Sequence, residues 1–254
     1  MSISLDQLVA AAVFIGARVS GLMIFCPFLG SNVIPWPIKA ALTAMVTALL
    51  YAVQGPVQLQ IAGWEWVGVA LTELIIGLGL GLAANFMVEA PMLAGQVLGV
   101  QMGYSLAALF DPQTQADSPV LGQLHQLAAL LIFLQLDVHH WLFRAIARSF
   151  TYLPPGAVLN AATAENLLHA AGGIFLAGLQ IATPALAATL VTDAGLGFLG
   201  KASPQMPILF ISMAVKNLLG LAVMVTTVAY WPQAFSDRFA QCVAFAERLL
   251  HLSH

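Results

Sequence analysis

Long apolar runs, broken at intervals by proline, glycine and short polar clusters, are the dominant pattern of this sequence. The first extends from about Leu5 to Phe28 and closes around Cys26-Pro27. A short connection, GSNVIPWPIK, follows, stiffened by Pro35 and Pro37. The second run covers about Ile38 to Val53 and stops at Gly55-Pro56; the third goes from Trp64 to about Val88. Trp64 and Trp66 open it, as tryptophan does where a helix meets the membrane–water interface. Val120 to Phe150 is apolar at first and carries Arg144 and Arg148 towards its end. After a Pro154-Pro155-Gly156 loop, Ala164 to about Leu199 is apolar for longer than one crossing needs. Pro184 within it predicts a kinked helix or two half-helices, because proline removes a backbone donor. Gln205 to Trp231 is the last continuous run. From Gln233 the pattern becomes two-faced, with Phe235, Phe239, Cys242, Ala246 and Leu249 on one side and Asp237, Gln241, Arg248 and His251 on the other. That arrangement predicts an amphipathic helix lying at an interface or on a partner.

Composition turns the pattern into a fold class. The chain is 60% apolar and 7% charged, with a mean hydropathy of +0.91. A water-facing surface takes about a quarter charged residues, which this chain lacks. The expected fold is all-α: polytopic membrane-associated helices of about 20 residues each, the length that crosses a hydrocarbon core of roughly 30 Å. The net charge of −3 gives no reason to expect nucleic acid or an acidic substrate. Cys26 and Cys242, the only two cysteines, form no disulfide framework and no zinc spacing. Asp6 stands where a signal peptide carries positive charge, so the N-terminus reads as an uncleaved first span. With only eight Lys and Arg, several inside spans, the positive-inside rule fixes no orientation.

Four charges fall inside apolar runs: Arg18, Glu73, Asp193 and Lys216. Each costs about 2.5–3.5 kcal/mol at a helix centre on insertion scales, so each needs a partner in protein or water. They read either as a proton or ion relay, as in a secondary transporter, or as structural ion pairs between helices. A transporter would favour inverted repeats, and the sequence shows no convincing internal duplication. Gly77 and Gly81, and Gly95, Gly99 and Gly103, recur four apart, the small-residue stripe that lets helix backbones approach closely in a membrane. The stripe serves packing within the chain or onto other subunits, and spacing does not separate the two. GLGFLG, Gly195 to Gly200, matches G-x-G-x-x-G formally but lacks the βαβ setting of a nucleotide fingerprint. His139 and His140 are adjacent and so diverge by about 100° on a helix, a poor metal pair. His125 precedes them on the same segment, and the three read as interfacial histidines. With no H-E-x-x-H and no G-x-S-x-G, the commoner hydrolase arrangements are missing, and no enzyme or cofactor is expected.

The stretch GQVLGVQMGYSLAALFDPQTQADSP, Gly95 to Pro119, differs in kind. Gln101, Tyr104 and Ser105 interrupt the apolar pattern, and Asp111-Pro112 disfavours helix at Asp111. It reads as an ordinary loop between spans or as a loop inserted into a pore, since irregular backbone at membrane depth must be buried in protein or line a cavity.

Several segments in their order along the chain resemble the FliR family, the R-type integral component of the flagellar type III export apparatus, related to the T-type component of injectisomes. They are ARVSGLMIFCPFLGSNVIPWPIKAALT, LTELIIGLGLGLAANFM, AGQVLGVQMGYSLAALFDP, HHWL and PQMPILFISMAVKNLLGL. The resemblance implies a P-like helical part over residues 1–162 and a Q-like helical hairpin with the C-terminal amphipathic helix over 163–254. It implies assembly with P-type and Q-type export gate proteins into a helical hetero-oligomer in the bacterial inner membrane, within the flagellar basal body. An FlhB-type switch protein would lie alongside, and unfolded flagellar subunits would pass through. It also implies that about 102–119 is the loop occupying the lumen. Within it, Gln101, Met102, Gly103, Tyr104, Ser105, Leu109, Phe110, Asp111 and Pro112 become the candidate gate or plug residues. Met102, Leu109 and Phe110 would supply deformable apolar contact and Gly103 backbone freedom. In such an assembly, hydrophobic helices meet sister subunits as well as membrane lipid.

Overall fold

The structure, a computed structural model, describes residues 5–31, 34–54, 65–104, 120–156, 161–203, 205, 208–233 and 236. Among them are seven helices of 15 residues or more and no strand. These are α1 (Leu5–Phe25), α2 (Trp36–Gln54), α3 (Glu65–Gln101), α4 (Val120–Gln135), α5 (Val138–Tyr152), α6 (Ala161–Ala202) and α7 (Ile208–Val228). Four stretches are long and apolar enough to cross a membrane: α2, α3, Gly178–Ala202 of α6 and Phe210–Val228 of α7. The broken pair α4–α5 makes a fifth if it counts as one span, and the apolar part of α1, Val9–Phe25, is shorter. Of the expected C-terminal amphipathic helix, only Gln233 and Ser236 are among the described residues.

An expected break is absent. The third apolar run does not end near Val88, because α3 continues through Pro91 to Gln101, 37 residues in all. Of the two outcomes expected at Pro184, the two half-helices are excluded, since α6 is one helix of 42 residues with Pro184 inside it. At 1.5 Å per residue these helices are about 55 and 63 Å long, well beyond a single hydrocarbon thickness. Tertiary packing carries the helix past each proline: Ala90 and Ala94 flank Pro91, Ala182 and Ala185 flank Pro184, and all four alanines are buried. The side-chain contacts outweigh one lost backbone bond.

The chain divides into two compact units that interleave along the sequence. Unit 1 holds α1, α2, α3 as far as Phe86, α5 and the start of α6. Unit 2 holds α3 from Met87, α4, α6 from Gly172, and α7. In unit 1, α1 turns Ala11, Phe14, Ile15, Arg18, Val19 and Leu22 inward, the i, i+3, i+4 set of one helix face. Phe14 meets the Trp66 ring of α3 with centroids 5.2 Å apart.

The backbones of α1 and α3 touch. A Cβ on Gly77 would strike the Arg18 carbonyl, one on Gly81 the Leu22 carbonyl, and one on Gly21 the Leu74 carbonyl. In unit 2 the same device joins α3 to α4, where a Cβ on Gly95 would strike the Leu121 carbonyl and Gly122. It also joins α6 to α3, where Gly178 faces the Ala90 carbonyl. Small residues thus set the interhelical distances, as they do where packing rather than hydrophobicity drives association. Gly99 is buried in α3 as well.

Gly77→Ala forces α1 away from α3 and is expected to cost about 1–3 kcal/mol, the price of overpacking. At Gly68 of the same helix a Cβ meets nothing within 4 Å, so Gly68→Ala is expected to be neutral or mildly stabilising. Thermal unfolding of the two variants in detergent, followed by circular dichroism, checks the contrast.

Candidate functional site

The four charges expected inside the spans fall into two pairs, one in each unit. Arg18 and Glu73 are both fully buried in unit 1. The Arg18 Nε donates to Glu73 Oε2 at 2.6 Å, and Nη2 lies 2.6 Å from the same oxygen. Nη1 donates to Ser149 Oγ and Nη2 to the Leu153 carbonyl, each at 2.9 Å. The guanidinium carbon sits 4.0 Å from the centre of the Phe150 ring. One planar group with five donors therefore ties α1 to α3 and to the end of α5, a task lysine, a point charge, would not perform. Glu73 Oε1 has no hydrogen-bond partner among the described residues. The pair binds α1 to α3 and to the end of α5.

The second pair lies in unit 2. Lys216 of α7 approaches Asp193 of α6 at 2.5 Å, with Lys216 15% and Asp193 36% exposed. Ser212 Oγ donates to the same Asp193 oxygen at 3.3 Å, and Gln101 Nε2 of α3 donates to the other at 3.2 Å. Asp193 is thus the common acceptor for three side chains from two other helices.

Gln101 is also the last residue of α3, and the turn after it is built with care. Gly103 has φ 86°, the left-handed region that glycine adopts without a Cβ penalty. Its N–H bonds the Val100 carbonyl at 3.1 Å, and the Tyr104 N–H reaches back to the Gly99 carbonyl at 2.9 Å. Those two bonds, with a left-handed glycine between them, make a Schellman cap. Tyr104 then packs on a cluster containing Leu98, Met102, Leu121, Ala182, Ala185 and Met224. Met102 is only 2% exposed and lies against Gly220 of α7, where a Cβ would strike its Cε and Sδ. Of the expected loop, then, Met102–Tyr104 form a helix end, with Met102 packed in a core and Gly103 at the left-handed position of the cap. Ser105, Leu109, Phe110, Asp111 and Pro112 lie outside the described residues.

The remaining candidates take structural places. His125 is buried in α4, its Nδ1 2.7 Å from the Leu121 carbonyl and its ring 5.3 Å from that of Trp231. His139 and His140 do not diverge as expected. Their ring centroids lie 4.2 Å apart with the planes tilted by 40°, and Asp137, which takes a left-handed φ of 53°, lies 3.4 Å from His140 Nδ1. Gly195 to Gly200 is helical throughout, inside α6. An open apolar groove of about 910 Å³ runs between α1 and α2, lined by residues such as Ala12, Gly16, Ala44, Thr47 and Ala48. Ser20, Thr43 and Thr47 along it turn their hydroxyls back on their own helices, to the Ala17, Lys39 and Thr43 carbonyls.

Sequence reasoning missed Ser149, Phe150, Gly21, Ser212 and Gly220. Ser149 had a signal: it sits at helical spacing among Leu142, Ile146, Phe150 and Leu153, a hydroxyl on an apolar stripe. The others had none, because they matter only through residues distant in the chain.

Long apolar helices, glycine-mediated backbone contact and charges closed into pairs define an integral membrane protein whose polar residues hold helices together. The chain belongs to the family of bacterial export proteins, family 1, which it matches over residues 9–242. It is 30% identical over 208 residues to the flagellar biosynthetic protein FliR of Escherichia coli K12, covering 82% of this chain and 80% of that one. To FliR of Bacillus subtilis 168 it is 26% identical over 227 residues, 87% of each chain. It is also similar to the secretion system apparatus protein SsaT of Salmonella typhimurium, 23% identical over 205 residues, 80% of this chain and 78% of that one.

Arg18→Leu leaves Glu73 charged and buried without its partner, and is expected to destabilise unit 1 by about 3–5 kcal/mol. The double variant Arg18→Leu with Glu73→Leu is expected to recover most of that loss. Yield of folded protein and thermal midpoint, read across the double-mutant cycle, check both.

Proposed function

We propose that the chain is a structural subunit of the flagellar type III protein export gate in the bacterial inner membrane. With P-type and Q-type proteins it forms the channel for unfolded flagellar subunits, beside an FlhB-type switch protein. It carries out no chemical step and holds no cofactor. Family membership over nearly the whole chain, with relatives that are flagellar biosynthetic and secretion-apparatus proteins, is the observation that carries this reading.

The surfaces support an assembled subunit. Ile38, Met45, Leu49 and Val53 of α2 and Phe210, Leu218 and Val225 of α7 are exposed. Faces this apolar need cover from lipid or from sister helices. A secondary transporter is the less favoured reading, since the four span charges close on one another within this chain.

In this reading residues 1–162 are the P-like part and 163–254 the Q-like hairpin, and the lumen segment starts beyond the cap at Tyr104. A conduit wide enough for an unfolded chain leaks ions unless obstructed. Ser105, Leu109, Phe110, Asp111 and Pro112 are the proposed obstruction.

Deleting most of Tyr104–Pro112 is expected to raise the ion conductance of cells carrying the assembled apparatus, and unchanged leakage would remove the sealing role. Affinity purification of the tagged chain from flagellated cells is expected to yield a large hetero-oligomer with P-type and Q-type proteins. A monomer or small homo-oligomer would favour the transporter.

A further inference from the structure

We infer that Asp193 is the positioning residue for the C-terminal turn of α3, and that Gly220 is the slot that admits Met102 beside it. The carboxylate divides its two oxygens between neighbours: Oδ1 faces Lys216 and accepts from Ser212, while Oδ2 accepts from Gln101. Lys216 supplies the opposite charge that lets a carboxylate persist on an apolar helix. With charge compensation met by α7, the oxygen facing α3 is left for orientation. Gln101 is the residue before the cap, so this bond acts where α3 ends.

The Schellman cap terminates α3 by itself, with local bonds only. It does not decide where that end sits on α6 and α7. Apolar contact alone is non-directional and tolerates sliding, whereas a hydrogen bond between two helices selects one register. Gln101 to Asp193 supplies a fixed polar point on α6, and on the next residue Met102 adds an adaptable apolar contact that fits beside Gly220 of α7. Together they set the point and direction at which the chain leaves residue 104. The inference deepens the export-gate reading by naming what places the root of the lumen segment, and it rests on that reading only for the leakage part of its test.

The test uses the full chain, expressed with its export-apparatus partners and retained in membranes. A cysteine replaces Tyr104 in a background where Cys26 and Cys242 are serine, and the rate of labelling by a small maleimide reports how firmly the turn is held. Gln101→Leu keeps the Asp193–Lys216 pair and is expected to raise the rate about tenfold, the factor set by losing one hydrogen bond to a charged group. Asp193→Asn is expected to do the same, Asp193→Glu to stay within about twofold of the parent, and Gly220→Leu, too bulky for a small shift of the Met102 thioether to absorb, to accelerate labelling by displacing Met102. Labelling of Gln101→Leu at the parental rate overturns the role of Asp193, as does Asp193→Glu behaving like Asp193→Asn. An unchanged rate in Gly220→Leu overturns the slot. Should Asp193→Asn fail to accumulate, Gln101→Leu still decides. Ion leakage is measured in parallel on Gln101→Leu and on the chain shortened within Tyr104–Pro112. Leakage from the shortened chain with none from Gln101→Leu limits Asp193 to a role without effect on sealing and overturns its placing of the lumen segment. No leakage from either defeats the sealing reading, and the labelling rates still judge Asp193.

Discussion

A guanidinium shut away from water organises unit 1. Arg18 cannot shed its proton, so everything within reach must answer its charge and its five donors. Glu73 provides the charge, Ser149 and the Leu153 carbonyl take further N–H groups, and Phe150 presents its ring face. Those partners lie on α3 and on α5 with its C-terminal residue, and the contact is short because glycine lets α1 and α3 meet backbone to backbone. Charge and glycine are interdependent here. Without Gly77 the helices stand too far apart for the pair, and without the pair their close contact would leave a bare charge inside.

Unit 2 applies the same logic less deeply. Asp193 and Lys216 are partly exposed, and the bonds around them reach across from α6 to α3 and α7. Tight packing in this unit comes from Gly95 of α3 against α4, Gly178 of α6 against α3, and Met102 of the α3 cap against Gly220 of α7. Met102 fills its slot with an unbranched, adaptable thioether that suits an irregular space. The helices α3 and α6 each contribute residues to both units.

The helical class was plain in the sequence, since a chain this apolar and this poor in charge has few other folds open to it. The identity of the four important charges was equally legible, because each one violates its surroundings. Their pairing was not. Arg18 and Glu73 are 55 residues apart, and nothing local links them. Pro184 left two outcomes open for a related reason: proline states its cost in the sequence, while the buried alanines beside it appear only in three dimensions. At the end of α3 the motif M-G-Y-S looked like the beginning of a loop, and its glycine like a hinge. The same glycine closes a helix cap, and only the φ angle distinguishes the two uses.

That cap has a consequence for how the family can diversify. A helix closed by its own final carbonyls, with a tyrosine pressed on the core just beyond, isolates the upstream framework from whatever sequence comes next. Segments of other length or chemistry can be grafted after residue 104, by evolution or by an engineer, while the helices that receive them keep their register. Novelty at that junction is mechanically cheap, because the framework has already finished folding its end.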